Sequence, residues 1–244
     1  MSSAALQPPR EPKYYTVKRH LLAIIESLEP DSAVPTERVL AAELGTSRTT
    51  VRQALLELVA EGRLVRRQGS GTYVAEPKMT WPLHLTSFTE QAAANGFTAS
   101  TQLISAERIR ADEDVAKRLA LVIGAPVFSI ERLRLADERP MAVETAHLSA
   151  ARFPQLTRHI RRAQSLYGVL ASVYGVVPVN AEESIATAPA SPREAALLHT
   201  DIGAPMLVLG RQSFDASGQV VEWVTSWYRG DRVTFVANLT APRR

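Results

Sequence analysis

The sequence contains no cysteine, which excludes disulfide bonds and thiolate metal sites and is typical of a protein of the reducing cytoplasm. It also lacks an apolar run near the roughly 18 residues that a membrane-spanning helix needs. The first residues, "MSSAALQPPREPK", hold no apolar core of a signal peptide, so we expect a disordered N-terminal arm over 1–13. These absences predict a cytoplasmic protein with no membrane partner.

The signatures of several enzyme classes are missing as well. The five histidines are scattered and show no metal-ligand spacing such as HExxH. Neither a GxSxG nucleophile elbow nor a phosphate-binding GxxxxGK[ST] loop is present. We therefore predict no catalytic residue, no metal site and no cofactor. No internal repeat is evident either.

What is present fits an ordinary globular chain. Its 244 residues suffice for two domains, and 45% apolar and 22% charged residues are typical values. A net charge of +3 and a pI near 9.4 permit a polyanionic partner without proving one.

Residues 14–75 read as three helices followed by a hairpin. Apolar residues at spacings of three and four predict an amphipathic helix over 15–27. Thr36 and then Thr46 or Ser47 can cap the next two helices, with Gly45 in the turn between them. The run "LVRRQGSGTYVA" then predicts a glycine-tipped hairpin.

Two helices joined by a short turn are the geometry of a DNA-binding helix-turn-helix, whose second helix reads the major groove with its first residues. Here those residues are Arg48, Thr49 and Thr50, with Arg52 one turn later. For "SRTT" alone a solvated, capped helix front is the favoured interpretation. The capped helix, the glycine turn, the arginine-bearing second helix and the hairpin together favour a winged DNA-binding domain.

Beyond a linker predicted over 76–84, the chain changes character. Residues 85–244 alternate β-rich and helical runs, which predicts an α+β domain built on an antiparallel sheet. We expect strands at 127–136, 141–149, 205–215, 221–230 and 233–239, and helices at 112–121, 166–174 and 192–198.

Arg132 and Arg134 lie two apart on a predicted strand, so both side chains point to the same face. Glu144 lies on the presumed partner strand. Two arginines on one face repel each other unless an anion lies between them, which suggests a phosphate or carboxylate ligand. A solvated face is the alternative that these residues alone leave open.

The stretch "PTERVLAAELGTSRTTVRQALLELVAEGRLVRRQGSGTYV" resembles the winged helix-turn-helix domain of the GntR superfamily of bacterial transcription regulators. The resemblance implies a homodimer that binds a palindromic, double-stranded operator. It also implies DNA contacts from Arg38, Arg48 and Arg52, phosphate contacts from Ser47, Thr49 and Thr50, and approach of Gly69 to the minor groove.

From Leu85 onward, "LTSFTE", "ERLRLADERPMAVET", "SLYGVL" and "EWVTSWYRGDRVTFVA" resemble the UTRA domain of the HutC branch, which has a chorismate-lyase-like fold. Within it the chain is most similar to the repressors of N-acetylglucosamine utilisation. Their effector is an amino-sugar phosphate, glucosamine-6-phosphate or N-acetylglucosamine-6-phosphate. The residues implied for the phosphate are Arg132, Arg134, Ser165, Tyr167 and the loop Thr86, Ser87 and Phe88. Those implied for the sugar hydroxyls are Glu144, Glu222 and Tyr228.

The sequence thus predicts a repressor of amino-sugar uptake and catabolism genes that an amino-sugar phosphate releases from DNA. One alternative keeps the regulator but gives it another sugar phosphate or a carboxylate as effector. The other is an enzyme that uses the chorismate-lyase-like pocket.

Overall fold

A computed structural model describes residues 13–67, 70–75, 78–161, 163 and 165–239. The chain divides between Lys78 and Met79 into two compact units. The expected disordered arm, 1–13, lies outside the described residues except for Lys13, where the first helix begins.

The first unit has the predicted order of three helices and a hairpin. Local signals set the helix ends: Thr36 caps the second helix at the Val39 N–H, and Ser47 caps the third at the Thr50 N–H. Gly45, in the turn between them, has a φ of +57°, which a glycine adopts without strain. The elements are α1 (Lys13–Glu26), α2 (Glu37–Glu43), α3 (Arg48–Ala60), β1 (Leu64–Arg67) and β2 (Gly71–Val74).

The inner face of α3 anchors the unit. Val51, Leu55 and Leu58 are buried against Leu21 of α1 and Leu40 of α2. Truncating a buried leucine of this kind to alanine costs about 2–5 kcal/mol, so the apolar half of α3 holds the polar half in place.

The second unit is built on one six-stranded antiparallel sheet in the order β4-β5-β6-β9-β8-β7. The predicted α+β class is confirmed. Its strands are β3 (Met79–Pro82), β4 (Ala99–Arg110), β5 (Pro126–Ala136), β6 (Arg139–Ser149), β7 (Asn180–Pro189), β8 (Pro205–Phe214), β9 (Val220–Arg229) and β10 (Val233–Val236). Its helices are α4 (Phe88–Ala94), α5 (Glu113–Leu119), α6 (Leu156–Ile160), α7 (Leu166–Tyr174) and α8 (Pro192–Leu198).

The segment expected as a linker, 76–84, contains β3, so that expectation needs correction. Strand β3 pairs in parallel with β10, and Trp81 at its centre is fully buried. Pro82 stands at the end of the strand, where the missing N–H of proline costs little. The second unit therefore begins at Met79.

The sheet consists of two βαββ repeats, so the expectation of no internal repeat is wrong. Strands β4, β5 and β6 with α5 form the first repeat, and β7, β8 and β9 with α8 form the second. The tetrapeptide "IGAP" stands at 123–126 and again at 202–205, after helices that both end in a left-handed residue, Ala120 and His199. A β-bulge follows at Arg134/Leu135 in the first repeat and at Ser213/Phe214 in the second. The two repeats meet at the β6–β9 pair, and from there the strands run outward as β6, β5, β4 on one side and β9, β8, β7 on the other.

The sequence reading missed β4 and β7, the two edge strands, together with α4 and α6. Both edge strands are exposed along most of their length. Polar residues therefore occupy both of their faces, and the alternation that identifies a half-buried strand is lost.

Candidate functional site

The front of α3 presents its polar residues to solvent. Arg48 and Thr49 are exposed, and the hydroxyls of Ser47 and Thr50 lie 2.8 Å apart. Arg38 is exposed on α2. Neither Arg38 nor Arg48 forms an ion pair with any other described residue. Their guanidinium groups are therefore available to an external anion or a base edge.

Arg52 is held by a neighbour within the unit. Its Nη2 lies 2.8 Å from Glu37 Oε2, and its Nε lies 3.0 Å from Glu37 Oε1. Arg66 of β1 reaches the same carboxylate, with Nη2 2.9 Å from Oε1. The hydrogen bonds of Arg52 lower the pKa of Glu37. One carboxylate thus ties α2, α3 and the hairpin together, which the sequence reading did not foresee.

The tip of the hairpin is only partly described. Gly69, predicted to approach the minor groove, lies outside the described residues. In the described part of the hairpin, the Arg67 guanidinium stacks 4.4 Å from the centre of the Tyr73 ring and pairs with Asp31.

The second unit contains a cavity on one face of the six-stranded sheet, with about 610 Å³ of space that includes some open solvent. Strands β5, β6, β9, β8 and β7 contribute lining residues, as do α4, α7, β10 and the segment before α4. It is lined by Leu83, Thr86, Ser87, Phe88, Gln91, Arg132, Arg134, Glu144, Leu166, Tyr167, Glu183, Leu209, Arg211, Glu222, Val224, Ser226, Tyr228 and Phe235.

Glu144 lies between Arg132 and Arg134 in the cavity lining. Arg132 is directly opposite Glu144 in the β5–β6 ladder, and both arginines donate through Nη2 to Glu144 Oε1, Arg134 at 2.9 Å. All three side chains are buried. The expectation that an external anion must separate the two arginines is thereby corrected, because the chain supplies a carboxylate of its own.

The charges of this cluster hold each other ionised. Burial raises the pKa of Glu144, but the two guanidinium charges outweigh it and lower that pKa to about 2. Burial lowers the pKa of Arg132 to about 10, which leaves it charged at neutral pH. Two cations and one anion leave a net positive charge.

The cluster also has unused donors. Arg132 Nε, Arg132 Nη1 and Arg134 Nε are buried and have no hydrogen-bond partner within the described part of the chain. The buried hydroxyl oxygen of Thr86, at the cavity wall, has none either. A buried donor without a partner costs about 1–3 kcal/mol, more when it is charged, so these atoms favour a bound acceptor.

Glu222 forms a second polar cluster on β9. Its Oε1 accepts hydrogen bonds from the Tyr167 hydroxyl at 2.6 Å and from Ser213 Oγ at 3.2 Å. Its Oε2 is buried and lacks a partner among the residues that the structure describes. Burial raises the pKa of Glu222, and burial together with the Glu222 charge raises that of Tyr167. The free oxygen is an acceptor for a ligand donor.

Of the remaining predicted pocket residues, Ser87, Phe88 and Tyr228 line the cavity. Tyr228 packs edge-to-face on Trp81 and Phe235. The Ser87 hydroxyl caps α4, and the Ser165 hydroxyl caps α7 at the Gly168 N–H, 3.1 Å away. Ser165 is not among the lining residues, whereas the next two residues, Leu166 and Tyr167, are.

The sequence reading missed Arg211 and Glu183, which face each other on β8 and β7. Arg211 Nε lies 2.9 Å from Glu183 Oε1, and Nη2 lies 3.1 Å from Oε2, a bidentate pair at the cavity wall. A signal was present: Arg132 and Arg211 each stand six residues after the proline of an "IGAP" tetrapeptide.

The described residues include no group of three or more histidine, aspartate or glutamate side chains that could hold a metal ion. No described helix is long and apolar enough to cross a membrane.

Comparisons with protein families match both units. The family "Bacterial regulatory proteins, gntR family" matches residues 13–74, and the UTRA domain matches residues 94–234. The matches cover the three helices with the hairpin and all six strands of the sheet.

Individual proteins are similar over nearly the whole chain. The transcriptional repressor PhnF of Mycolicibacterium smegmatis is 38% identical over 96% of this chain and 95% of its own. The transcriptional repressor NagR of Bacillus subtilis is 37% identical over 92% of this chain and 93% of its own. The crystal structure of PhnF from Mycobacterium smegmatis superposes with a TM-score of 0.65, at 37% identity, over 92% of this chain and 99% of that one.

Proposed function

We propose that this chain, which belongs to the GntR family of bacterial regulatory proteins and carries a UTRA domain, is released from its operator by an amino-sugar phosphate. Membership of the family makes it a DNA-binding transcriptional repressor and not an enzyme. The effector, the homodimer and the individual contacts are the parts that we propose.

The unpartnered guanidinium nitrogens of Arg132 and Arg134 carry the proposal for the effector. Three buried nitrogens on two cations have no acceptor among the described residues, although Glu144 is already in place. A phosphate offers several acceptor oxygens with a charge of about −1.5 to −2, and arginine binds it in the plane of the guanidinium group. Thr86 supplies a hydroxyl at the same wall.

The rest of the cavity suits a polar, uncharged ring. Glu222 Oε2 has no partner among the described residues and can accept from a sugar hydroxyl or amide, while Tyr228 presents an aromatic wall. The motifs that resemble the N-acetylglucosamine-utilisation repressors support an amino sugar. PhnF and NagR are nearly equally similar to the chain, so identity alone does not select the effector.

For the DNA side, we propose that Arg48 and Arg38 read base edges while Ser47, Thr49 and Thr50 contact phosphates. The exposure of Arg48 and Arg38 and their lack of ion pairs among described residues support this role. Two copies of the chain then present two such surfaces to a palindromic operator.

A gel-shift titration with sugar phosphates tests the proposal. We expect N-acetylglucosamine-6-phosphate or glucosamine-6-phosphate to release the operator, and glucose-6-phosphate to act only at much higher concentration. Arg132→Gln should keep operator affinity and lose release. The matched control is Arg152→Gln, since Arg152 also forms an ion pair, with Asp215, but is only partly buried and does not line the cavity.

Each other outcome has a definite meaning. If only an unrelated sugar phosphate releases the operator, the chain is still an effector-controlled repressor, but its effector is not an amino-sugar phosphate. Normal release of the Arg132→Gln variant would exclude the phosphate site. If Arg152→Gln is affected as strongly as Arg132→Gln, general destabilisation explains both.

A further inference from the structure

The two repeats place arginines on opposite walls of the cavity. Arg132 and Arg134 lie on β5, and Arg211 lies on β8, with β6 and β9 between them. Three strand intervals of about 4.8 Å separate their backbones by roughly 14 Å. The cavity therefore has a second wall that carries an arginine, and the proposed phosphate contacts do not use it.

Arg211 is oriented by Glu183. The carboxylate occupies the Nε and Nη2 edge of the guanidinium group, at 2.9 and 3.1 Å. The Nη1 group makes no hydrogen bond with another described residue. A planar group clamped along one edge presents its remaining N–H donors in a fixed direction.

Glu222 lies close to Arg211 on the same face of the sheet. Arg211 is directly opposite Val224 in the β8–β9 ladder, which makes Glu222 its diagonal neighbour. Ser213, two residues beyond Arg211, donates to Glu222 Oε1 and leaves Oε2 unused by any described residue. A cationic donor and a carboxylate acceptor thus stand next to each other, opposite the Arg132 wall.

This pair matches a secondary amide better than an ammonium group. An amide carbonyl accepts from Arg211 while its N–H donates to Glu222 Oε2. A free ammonium group can donate to the same carboxylate, but it has no acceptor atom, so it leaves the Arg211 Nη1 donors without a partner.

We propose that Arg211, oriented by Glu183, is a specificity-determining residue that makes the pocket prefer an N-acylated amino-sugar phosphate over the free amine. This inference rests on the proposed function, because it requires the sugar phosphate to bind between the two arginine walls.

Isothermal titration of N-acetylglucosamine-6-phosphate and glucosamine-6-phosphate tests it, with the full-length chain. For the wild type we expect the acetylated ligand to bind roughly tenfold more tightly, the effect of one charge-assisted hydrogen bond. The main variant is Arg211→Gln/Glu183→Gln, which removes both charges and leaves no carboxylate unpaired. It should lose roughly tenfold in affinity for the acetylated ligand and change by less than about threefold for the amine.

Arg211→Lys and the Arg152→Gln control complete the design. Lysine keeps the charge but cannot bind Glu183 in a bidentate manner and also present a fixed donor. Arg211→Lys should therefore reduce the preference for the acetylated ligand, and it tests the proposal even if the double variant does not fold. Arg152→Gln should retain the wild-type preference.

The outcomes separate the two proposals. Failure of the wild type to bind either ligand overturns both. Equal affinities in the wild type, or an equal loss of both ligands in the folded variants, overturns the role of Arg211 alone and leaves the effector class intact.

Discussion

Arg211 on β8 occupies the position that Arg132 occupies on β5. Each stands six residues after the proline of an "IGAP" tetrapeptide. Each also stands two residues before a β-bulge, which begins at Arg134 in the first repeat and at Ser213 in the second. Their carboxylate partners differ: Arg132 pairs with Glu144 on the inner neighbouring strand, and Arg211 pairs with Glu183 on the edge strand. A duplicated framework thus produces an asymmetric pocket.

The first prediction concerns Glu144, the carboxylate between two buried arginines. Glu144→Gln leaves Arg132 and Arg134 without an anion, so the free energy of unfolding at neutral pH should fall by about 3–5 kcal/mol. Urea unfolding monitored by circular dichroism measures the change. Glu131→Gln is the control, since Glu131 pairs with the exposed Arg193 and should cost only about 0–1 kcal/mol. Equal losses in the two variants would contradict the role of the buried cluster.

The second prediction is the pH dependence of that loss. Folding lowers the pKa of Glu144 from 4.5 to about 2. The ionised carboxylate therefore stabilises the fold fully above pH 4.5, and this contribution is lost as the pH falls towards 2. The stability difference between the wild type and Glu144→Gln should shrink over that interval. Urea titrations at a series of pH values from 6 to 3 check this, and a difference that grows as the pH falls would refute it.

The third prediction concerns Glu37, which holds Arg52 and Arg66 beside the proposed DNA surface. Glu37→Gln frees both cations for phosphate contacts, so the affinity for non-specific duplex DNA should rise at low salt. The slope of log Kd against log salt should become steeper by roughly 1–2, about 1 for each added phosphate contact.

Fluorescence anisotropy over a range of salt concentrations measures that slope. Glu57→Gln is the matched control, because Glu57 is also an acidic residue of this unit but pairs with Lys18. A slope that is unchanged in Glu37→Gln, or equally changed in Glu57→Gln, would show that Arg52 and Arg66 do not reach DNA phosphates.

The fourth prediction concerns Arg48, an exposed arginine of the first turn of α3 with no ion pair among the described residues. Arg48→Ala should cost about 1–3 kcal/mol of operator binding and relax the preference at one base pair of each half-site. Selection of random duplexes with the wild type and the variant measures both effects. Arg63, another exposed arginine just beyond the end of α3, provides the control, and Arg63→Ala should change neither the affinity nor the sequence preference. If Arg48→Ala loses affinity without a change in sequence preference, Arg48 contacts a phosphate and not a base.

Much of the fold was predictable because its signals are local. The caps at Thr36, Ser47 and Ser191, and the glycine after α2, specify helix ends through hydrogen bonds that span three or four residues. The bounds predicted for α7 and α8 agree with the structure for this reason. Runs of β-prone residues identified the inner strands, whose residues are mostly buried or half-buried.

The sequence by itself determined the DNA-binding unit, the class of the second unit and the arginine pair on β5. Only the tertiary structure decided that Glu144 compensates that pair, that β3 belongs to the sheet unit, and that Arg211 meets Glu183, 28 residues away along the chain. The physical reason is that these features depend on which strands become neighbours and in what register. Partners brought together by such pairing leave no signal at short range in the sequence, whereas a helix cap or an alternating strand is specified within a few residues.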